Sequence, residues 1–229
     1  MLAQTHYHLG KEAHAILLHH CDNLRVRLET LTQATNPIRF YHGFQHTFLF
    51  VLKGEVFLKC QQEDRLLKMH QGVLLPRRHT TIATILAPQV EICVITFFRE
   101  PNSDCESDFK KVSSGTVEAS AERLGVTSWP LWQGKNGAIN INLYPAHYKE
   151  STYYHKNTGQ FLLPLHNDSL KVSTHMKTAE PLSDHGLFIA KQTPKALYNT
   201  TDKSTSVLCI YTPYPEKGRV MLLAKPLND

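Results

Sequence analysis

The sequence feature that most constrains the fold of this chain is an internal repeat with a period of about a hundred residues. The segment GVLLPRRHTTIA begins at Gly72, and the segment GLFIAKQTPKALYN begins at Gly186. Each leads through a polar hairpin pattern to an apolar strand pattern with a cysteine, Cys93 in the first half and Cys209 in the second. Because each copy of such a repeat is one structural unit, we expect the 229 residues to fold as two similar domains.

The repeated unit is a series of short β-strand patterns separated by turns. Apolar and charged residues alternate strictly in residues 24–29, which predicts a strand with one buried face. Residues 47–52 and 56–60 are rich in β-forming residues, and the Lys-Gly-Glu turn between them predicts a hairpin. Further strands are expected at residues 15–20, 72–76, 80–86, 90–98, 139–144, 160–165, 169–175, 186–190, 196–198, 207–212 and 220–225. Many short strands with regular turns indicate an all-β fold of the sandwich or jelly-roll type.

A polar segment separates the two halves. Residues 99–115, with the sequence REPNSDCESDFKKVSSG, are rich in turn-forming residues and predict a linker or long loop. Residues 116–124 fit a short helix, with Thr116 as its N-cap and Gly125 just past its end. We therefore expect an N-terminal domain at residues 1–100, a linker with a short helix at 101–137 and a C-terminal domain at 138–229.

Composition and charge exclude several classes of protein. The apolar fraction is 41% and the charged fraction 20%, which is typical of a folded domain and not of a disordered chain or a coiled coil. The net charge of +5 is spread without a dense basic run, so we expect no nucleic-acid partner. No apolar run is long enough for a membrane span, and the N-terminus lacks a signal-peptide pattern. Five cysteines without a CxxC pair predict no disulfide framework, which favours a cytoplasmic protein.

Three segments resemble motifs of the cupin superfamily. LFVLKGEVFLKC, residues 49–60, resembles the strand, Gly-Glu turn and strand that close the first cupin motif. HQGVLLPRRHTTIA, residues 70–83, resembles the second motif, and DHGLFIAKQTPKALYNTT, residues 184–201, resembles it again, with Asn199 where the family places its Asn. The chain is therefore similar to a bicupin. The resemblance implies two tandem jelly-roll, cupin-like β-barrels with a short helix in the connection.

The resemblance also implies a metal site, which the first half retains only in part. Active cupins hold a divalent metal with two His and a Glu or Gln from the first motif and a His from the second. They use it for dioxygenation, isomerisation, decarboxylation or lyase chemistry. In the first half, the first-motif positions fall on Phe40, His42 and His46, and the second-motif His falls on Thr81 or His79.

In the second half, the residues at the implied ligand positions differ even more from those of a cupin metal site. The first-motif positions fall around Tyr154, Lys156 and Gln160, and the second-motif His has become Lys195. Because a lysine ammonium repels a divalent cation, we expect no metal in the second barrel. Residues 147–155 also contain a His, a Glu and a second His, which we interpret as a polar loop, with a displaced ligand set as the alternative.

The preferred functional hypothesis is a degenerate bicupin without a catalytic metal, which binds a small molecule or acts as a regulatory or interaction protein. Enzymatic activity stays open, with no activity as the preferred interpretation. Lys195 and Asn199 are expected to bind an anion such as a carboxylate. If Tyr153 points into its barrel together with the other candidates, a polar ligand is favoured. The candidate ligand-binding residues are Tyr41, His42, His46, Arg77, His79, Lys195 and Asn199.

Two alternatives remain open at this stage. The first is a metal-dependent cupin enzyme, a dioxygenase or an isomerase, in which His42, His46 and His79 hold one divalent ion of Fe, Mn, Ni or Zn. The 14 histidines of the chain first suggest this reading, although most of them are scattered. The second is a structural or interaction protein whose barrels pack into a homodimer through sheet faces or edges.

Overall fold

The computed structural model describes residues 14–33, 37–41, 43, 45–98, 109–166, 170–175, 177–216 and 218–222. These residues form short β-strands joined by turns, which confirms the all-β prediction. The chain divides into two compact units, the first unit, Met1–Thr116, and the second unit, Val117–Asp229. In the ranges given, we find no helix with the length and apolar character needed to cross a bilayer.

The first unit is a jelly roll of two antiparallel sheets. Its strands are β1 (His14–Cys21), β2 (Leu24–Thr32), β3 (Ile38–Tyr41), β4 (His46–Lys53), β5 (Glu55–Cys60), β6 (Glu63–Lys68), β7 (Gly72–Leu75), β8 (Thr80–Ile85), β9 (Gln89–Phe97) and β10 (Lys111–Val112). One sheet has the order β1-β2-β9-β4-β7-β10, and the other has the order β3-β8-β5-β6. Alternate side chains of both sheets share one core, including Leu49 and Val94 from the first sheet and Leu58 and Ala83 from the second.

The second unit has the same two-sheet construction. Its strands are β11 (Ser120–Ala121), β12 (Thr127–Gly134), β13 (Gly137–Tyr144), β14 (Tyr153–Tyr154), β15 (Gly159–Pro164), β16 (Leu170–Thr174), β17 (Glu180–Pro181), β18 (Leu187–Ile189), β19 (Lys195–Asn199), β20 (Thr205–Thr212) and β21 (Val220–Met221). The sheet orders are β11-β12-β13-β20-β15-β18 and β17-β16-β19-β14-β21. Leu162 and Cys209 of the first sheet and Val172 and Leu197 of the second lie in its core.

The strand order confirms the repeat inferred from the sequence. The run β2-β9-β4-β7 in the first unit matches β13-β20-β15-β18 in the second, and β3-β8-β5-β6 matches β14-β19-β16-β17. The register places Phe40 opposite Thr81 in the first unit and Tyr153 opposite Lys195 in the second. These two pairs therefore occupy corresponding positions on the inner faces of the two units.

The short helix expected at residues 116–124 is not formed. Thr116 instead closes a turn, in which its Oγ1 accepts a hydrogen bond from Ser113 N at 2.8 Å. Ser120 and Ala121 pair with β12, which requires extended backbone. Leu124 has a φ of 59°, so only one turn of 3-10 helix, Arg123–Gly125, forms before the chain reverses.

Part of the segment expected to be linker belongs to the second unit. Residues 120–134 contribute β11 and β12, and β12 pairs with β13 from Thr127 to Gly134. The pairing shifts register between Pro130 and Trp132, as expected where a proline removes a backbone donor. The structure accommodates this proline as an irregularity within a strand.

Candidate functional site

The clearest cluster of buried polar side chains lies inside the second unit, at the positions to which the cupin motifs point. Alternation along β19 turns Lys195, Leu197 and Asn199 to the inner face, and Leu197 belongs to the core. Lys195 is only 2% exposed. Its strand neighbour Tyr153, directly opposite on β14, is 1% exposed. The fold therefore places an amine and a phenol side by side in the interior of the second unit.

Lys195 has one hydrogen-bond acceptor among the residues that the structure describes. Its Nζ donates to Oε1 of Gln160, which lies on β15 in the opposite sheet. The same Nζ lies 5.2 Å from the ring centroid of Tyr153, a cation–π distance. Burial lowers the pKa of Lys195 to about 7, an effect that the Glu150 carboxylate opposes and the Arg219 guanidinium reinforces. The amine is therefore partly neutral near neutral pH.

Glu150 is the centre of the hydrogen-bond network beside Lys195. It is 5% exposed and precedes β14. Its Oε1 accepts from Leu197 N at 2.9 Å, and its Oε2 accepts from Tyr148 Oη at 2.7 Å and from Arg219 Nη1 at 3.2 Å. Burial raises the pKa of Glu150, and Arg219 and the hydrogen bonds limit that rise. Glu150 thus ties β19 to the C-terminal segment.

Arg219 enters the cluster from the residue before β21, which pairs with the outer edge of β14. Its Cζ lies 4.5 Å from the ring centroid of Tyr153. Besides Glu150, its guanidinium contacts Glu122 Oε2 at 3.4 Å. Two carboxylates therefore contact its guanidinium. Arg219 could not be found from the sequence because a single Arg in a polar turn carries no pattern.

Tyr153 contacts two cationic groups, yet its own hydroxyl has no hydrogen-bond partner in the described part of the chain. Burial, together with Glu150, raises the pKa of Tyr153 well above its ordinary value, so the group stays protonated. A buried hydroxyl without a partner costs about 1–3 kcal/mol, so native proteins rarely leave one unpaired. This orphan donor is the strongest sign that the cluster has a missing acceptor.

His155 lies between Tyr153 and Tyr211, with ring centroids 5.6 and 5.9 Å away. Its Nδ1 lies 3.2 Å from Gly218 O, to which it donates. Burial, reinforced by Lys195, lowers the pKa of His155 to about 4, so the ring is neutral. His155 therefore holds the C-terminal segment by its backbone.

The loop that contains Glu150 and His155 differs from the polar loop expected from the sequence. Both of those side chains are buried. His147, in contrast, is exposed, and its Nε2 lies 3.0 Å from Asp202. The displaced ligand set is not assembled, and no group of three metal-ligating side chains occurs among the residues placed by the structure.

Asn199 has a structural contact set. Its Nδ2 donates to the carbonyls of Pro145 at 2.8 Å and Lys203 at 2.7 Å, and its Oδ1 accepts from the backbone and hydroxyl of Thr201. These bonds fix the turn between β19 and β20. The side chain has little capacity left for a ligand, so we do not include it in the candidate site.

The candidate residues of the first unit that the structure describes lie in different environments. Tyr41 is 57% exposed, and Arg77 is half-buried in the turn after β7. His46 lies on the face of β4 opposite the core residues Leu49 and Val51. His79 is exposed and contacts Gln61 at 3.1 Å. His42 lies outside the described residues.

The first unit instead carries charged residues on the inner face of β2. Glu29 pairs with Ile92, and Arg27 pairs with Val94, both of which are core residues of β9. Arg27 Nη2 lies 3.0 Å from Glu29 Oε1, and Glu29 is fully buried. Burial raises the pKa of Glu29 to about 7, although Arg27 opposes this. The alternation of residues 24–29 predicted a strand with one buried face but did not indicate that its charged face points inward.

The described motif positions of the second unit do not fit a divalent metal. In the second unit they hold Lys195 and Gln160, and the nearby Arg219 adds positive charge. A protonated lysine has no lone pair to offer a cation, and its charge repels one. In the first unit the corresponding inner positions hold Phe40 and Thr81, which offer at most one hydroxyl.

Comparisons with known proteins identify the fold. No protein-family model and no curated relative matches the sequence. Among solved structures, AerE from Microcystis aeruginosa matches with a TM-score of 0.71 at 11% identity, covering 90% of this chain and 94% of that one. A cupin 2 conserved barrel domain protein from Leptotrichia buccalis matches with a TM-score of 0.66 at 11% identity, over 88% and 89% of the two chains.

An enzyme is also among the structural neighbours. A mutant of oxalate decarboxylase from Bacillus subtilis matches with a TM-score of 0.64 at 11% identity, covering 96% of this chain and 78% of that one. At such identities the likeness shows the fold and not the activity. Together with the repeated strand order, these likenesses confirm the fold implied by the resemblance seen in the sequence: this chain has a tandem jelly-roll fold like that of the cupin proteins it matches.

Proposed function

We propose that this chain binds a small carboxylate-bearing molecule inside the second unit, without a catalytic metal. The observation that carries the proposal is an excess of buried donors. The Tyr153 hydroxyl has no partner in the part of the chain described, and Lys195 uses one of its N–H groups on Gln160. A ligand that supplies acceptor oxygens would satisfy both groups.

A carboxylate fits this cluster better than a neutral acceptor. Glu150 and Arg219 already bind each other at 3.2 Å, so neither leaves an unbalanced charge. Lys195 has a pKa near 7, and a bound anion would favour its charged form. Binding should therefore be coupled to proton uptake by Lys195 between about pH 7 and 9, with affinity falling as the pH rises through that range.

The alternative of a metal-dependent enzyme in the first unit has less support. It requires His46 and His79 to converge with His42. His46 lies on the face of β4 away from the core, and His79 contacts Gln61 at the surface. The homodimer inferred from the sequence stays a prediction, which analytical ultracentrifugation would test.

The binding proposal is tested by a thermal-shift screen of the untagged protein with small carboxylates, such as lactate, pyruvate, malonate and succinate, followed by isothermal titration calorimetry. We expect at least one of them to bind, with proton uptake detected as a dependence of the binding enthalpy on the ionisation enthalpy of the buffer. Lys195→Met should weaken binding at least tenfold. Lys191→Met, at an exposed lysine in the turn before β19, is the matched control and should leave it unchanged. No carboxylate binding, or equal affinity in both variants, would refute the proposal.

A further inference from the structure

We propose that Lys195 is a nucleophile that forms a Schiff base with the carbonyl group of a small 2-oxo acid. This inference rests on the proposed carboxylate site and assigns it a substrate class and a covalent step. It uses the same three side chains, Lys195, Gln160 and Tyr153, and adds Glu150 as the neighbouring acid or base.

The environment of Lys195 suits a reactive amine. A lysine becomes nucleophilic when it is desolvated or lies near another cation, because both effects favour the neutral form. Lys195 is 2% exposed and has Arg219 in its electrostatic environment. The lowered pKa of about 7 agrees with this geometry. Gln160 accepts one N–H bond, which orients the nitrogen and leaves its lone pair available when the amine is neutral.

The proton transfers of imine formation have two candidate groups in the surroundings of Lys195. Tyr153 lies directly opposite on β14, and its hydroxyl is buried and unpaired in the described chain. Glu150 is buried, and its pKa is raised by that burial. A carboxyl group whose pKa is raised by burial is a stronger proton acceptor than an exposed one. Arg219 and Tyr148 orient its Oε2 through bonds of 3.2 and 2.7 Å.

The covalent step balances without an oxidant or a metal. The lone pair of Lys195 Nζ forms a C–N bond to the carbonyl carbon, the carbonyl oxygen takes a proton, and the nitrogen loses one. The resulting carbinolamine is protonated on its hydroxyl group and loses water as the C=N bond forms, and the nitrogen then gives up its second proton. The net reaction is amine plus carbonyl compound to imine plus one water.

A 2-oxo acid supplies both functions that the cluster lacks. Its carboxylate offers acceptor oxygens to the Tyr153 hydroxyl, and its adjacent carbonyl carbon is then held near Lys195. A simple aldehyde would leave the phenol unpaired. The apolar surroundings, which include Leu197 and Val172, disfavour the water that hydrolyses an imine.

The test is reductive trapping with pyruvate. The full chain is incubated with pyruvate and sodium cyanoborohydride, and the product is analysed by intact mass and peptide mapping. We expect one adduct per chain, on the peptide that contains Lys195, at pyruvate concentrations where surface lysines react little. Lactate has the same carboxylate without the carbonyl group and should produce no adduct. An adduct spread over surface lysines, or absent altogether, would overturn the proposal.

Two variants and the pH dependence of the trapping rate complete the experiment. Lys195→Met should abolish the adduct, and Lys191→Met should retain it. If Lys195→Met does not fold, the site is decided by peptide mapping of the wild-type adduct. At saturating pyruvate, the trapping rate should rise with pH through neutrality, since the neutral amine is the reactant. Lys195-dependent binding of both lactate and pyruvate without trapping would reject the Schiff base and keep the carboxylate site. No binding of pyruvate or of any other acid in the carboxylate screen would reject both proposals.

Discussion

The two units share a strand order but differ at the same inner position. In the first unit Phe40 lies opposite Thr81, and in the second Tyr153 lies opposite Lys195. All four side chains are buried. The first pair presents a phenyl ring and one hydroxyl to the interior, whereas the second presents a phenol and an amine. One backbone framework therefore supports an apolar filling in one copy and a charged cluster in the other.

The charged residues of the first unit lie elsewhere on the framework. Arg27 and Glu29 are on β2, whose counterpart in the second unit is β13. There the inner face carries Asn142, which accepts from Ser128 Oγ at 2.8 Å. The position of a charged cluster is therefore not inherited with the fold, and function has to be argued for each unit from its own side chains.

The largest predicted effect concerns the buried charge network of the second unit. Glu150→Leu removes the acceptor of Tyr148, of Arg219 and of the Leu197 backbone, so we expect the free energy of unfolding to fall by about 3–5 kcal/mol. Glu122→Gln alters the partly exposed contact of the same arginine, and we expect a loss of less than about 1 kcal/mol.

Urea denaturation followed by tryptophan fluorescence measures the difference in stability between the two variants, and its signal comes from the second unit. Trp129 and Trp132 are the two tryptophans of the chain, and both lie on β12. Equal effects of the two substitutions would show that Glu150 is not the centre of the network. The two units would then differ in the residues they bury, but the charged network of the second unit would not contribute to the free energy of unfolding.

The second prediction concerns the buried acid of the first unit. The pKa of Glu29 is about 7 in the folded chain and near 4.5 when unfolded, so between these values the folded state binds more protons. Stability therefore falls as the pH rises through this window, by about 3 kcal/mol in total. Glu29→Gln should remove that dependence, measured by urea denaturation and far-ultraviolet circular dichroism from pH 4 to 8.

The matched control for Glu29 lies on the neighbouring strand. Glu91, on β9, has a side chain that is 33% exposed and 3.8 Å from Lys53. Glu91→Gln should retain the pH dependence of the original chain. If both variants retain the pH dependence, Glu29 does not cause it. Glu150 of the second unit would then be the buried acid with the larger effect on stability.

The fold could be predicted from the sequence because its signals are local and repeated. Alternation in residues 24–29 and the Gly-Glu turn before β5 identified strands, and the similarity of the segments at Gly72 and Gly186 identified two units. The helix at residues 116–124 was predicted wrongly. Its N-cap and Gly signals are weak beside the pairing of β11 with β12 and the left-handed backbone of Leu124.

The candidate site could be predicted only where a motif pointed to it. Lys195 and Gln160 were located through the cupin resemblance, and Tyr153 was named as an inward candidate. Glu150 was noticed but assigned to a loop, and Arg219 carried no signal, because both enter the cluster through tertiary contacts with other strands. A sequence pattern indicates which side chains share a face of a strand, but it does not indicate which distant segment packs against that face.

The smallest predicted effect concerns the histidines of the first unit. His79 is exposed and contacts Gln61, so His79→Ala should change the free energy of unfolding by less than about 0.5 kcal/mol. His46→Ala should cost more, because His46 is 5% exposed. Elemental analysis of the untagged protein should detect equal metal contents in the original chain and in both variants. A stoichiometric transition metal that both substitutions remove would instead place a metal site in the first unit. The two units would then differ in that the first binds a metal ion and the second holds a buried amine.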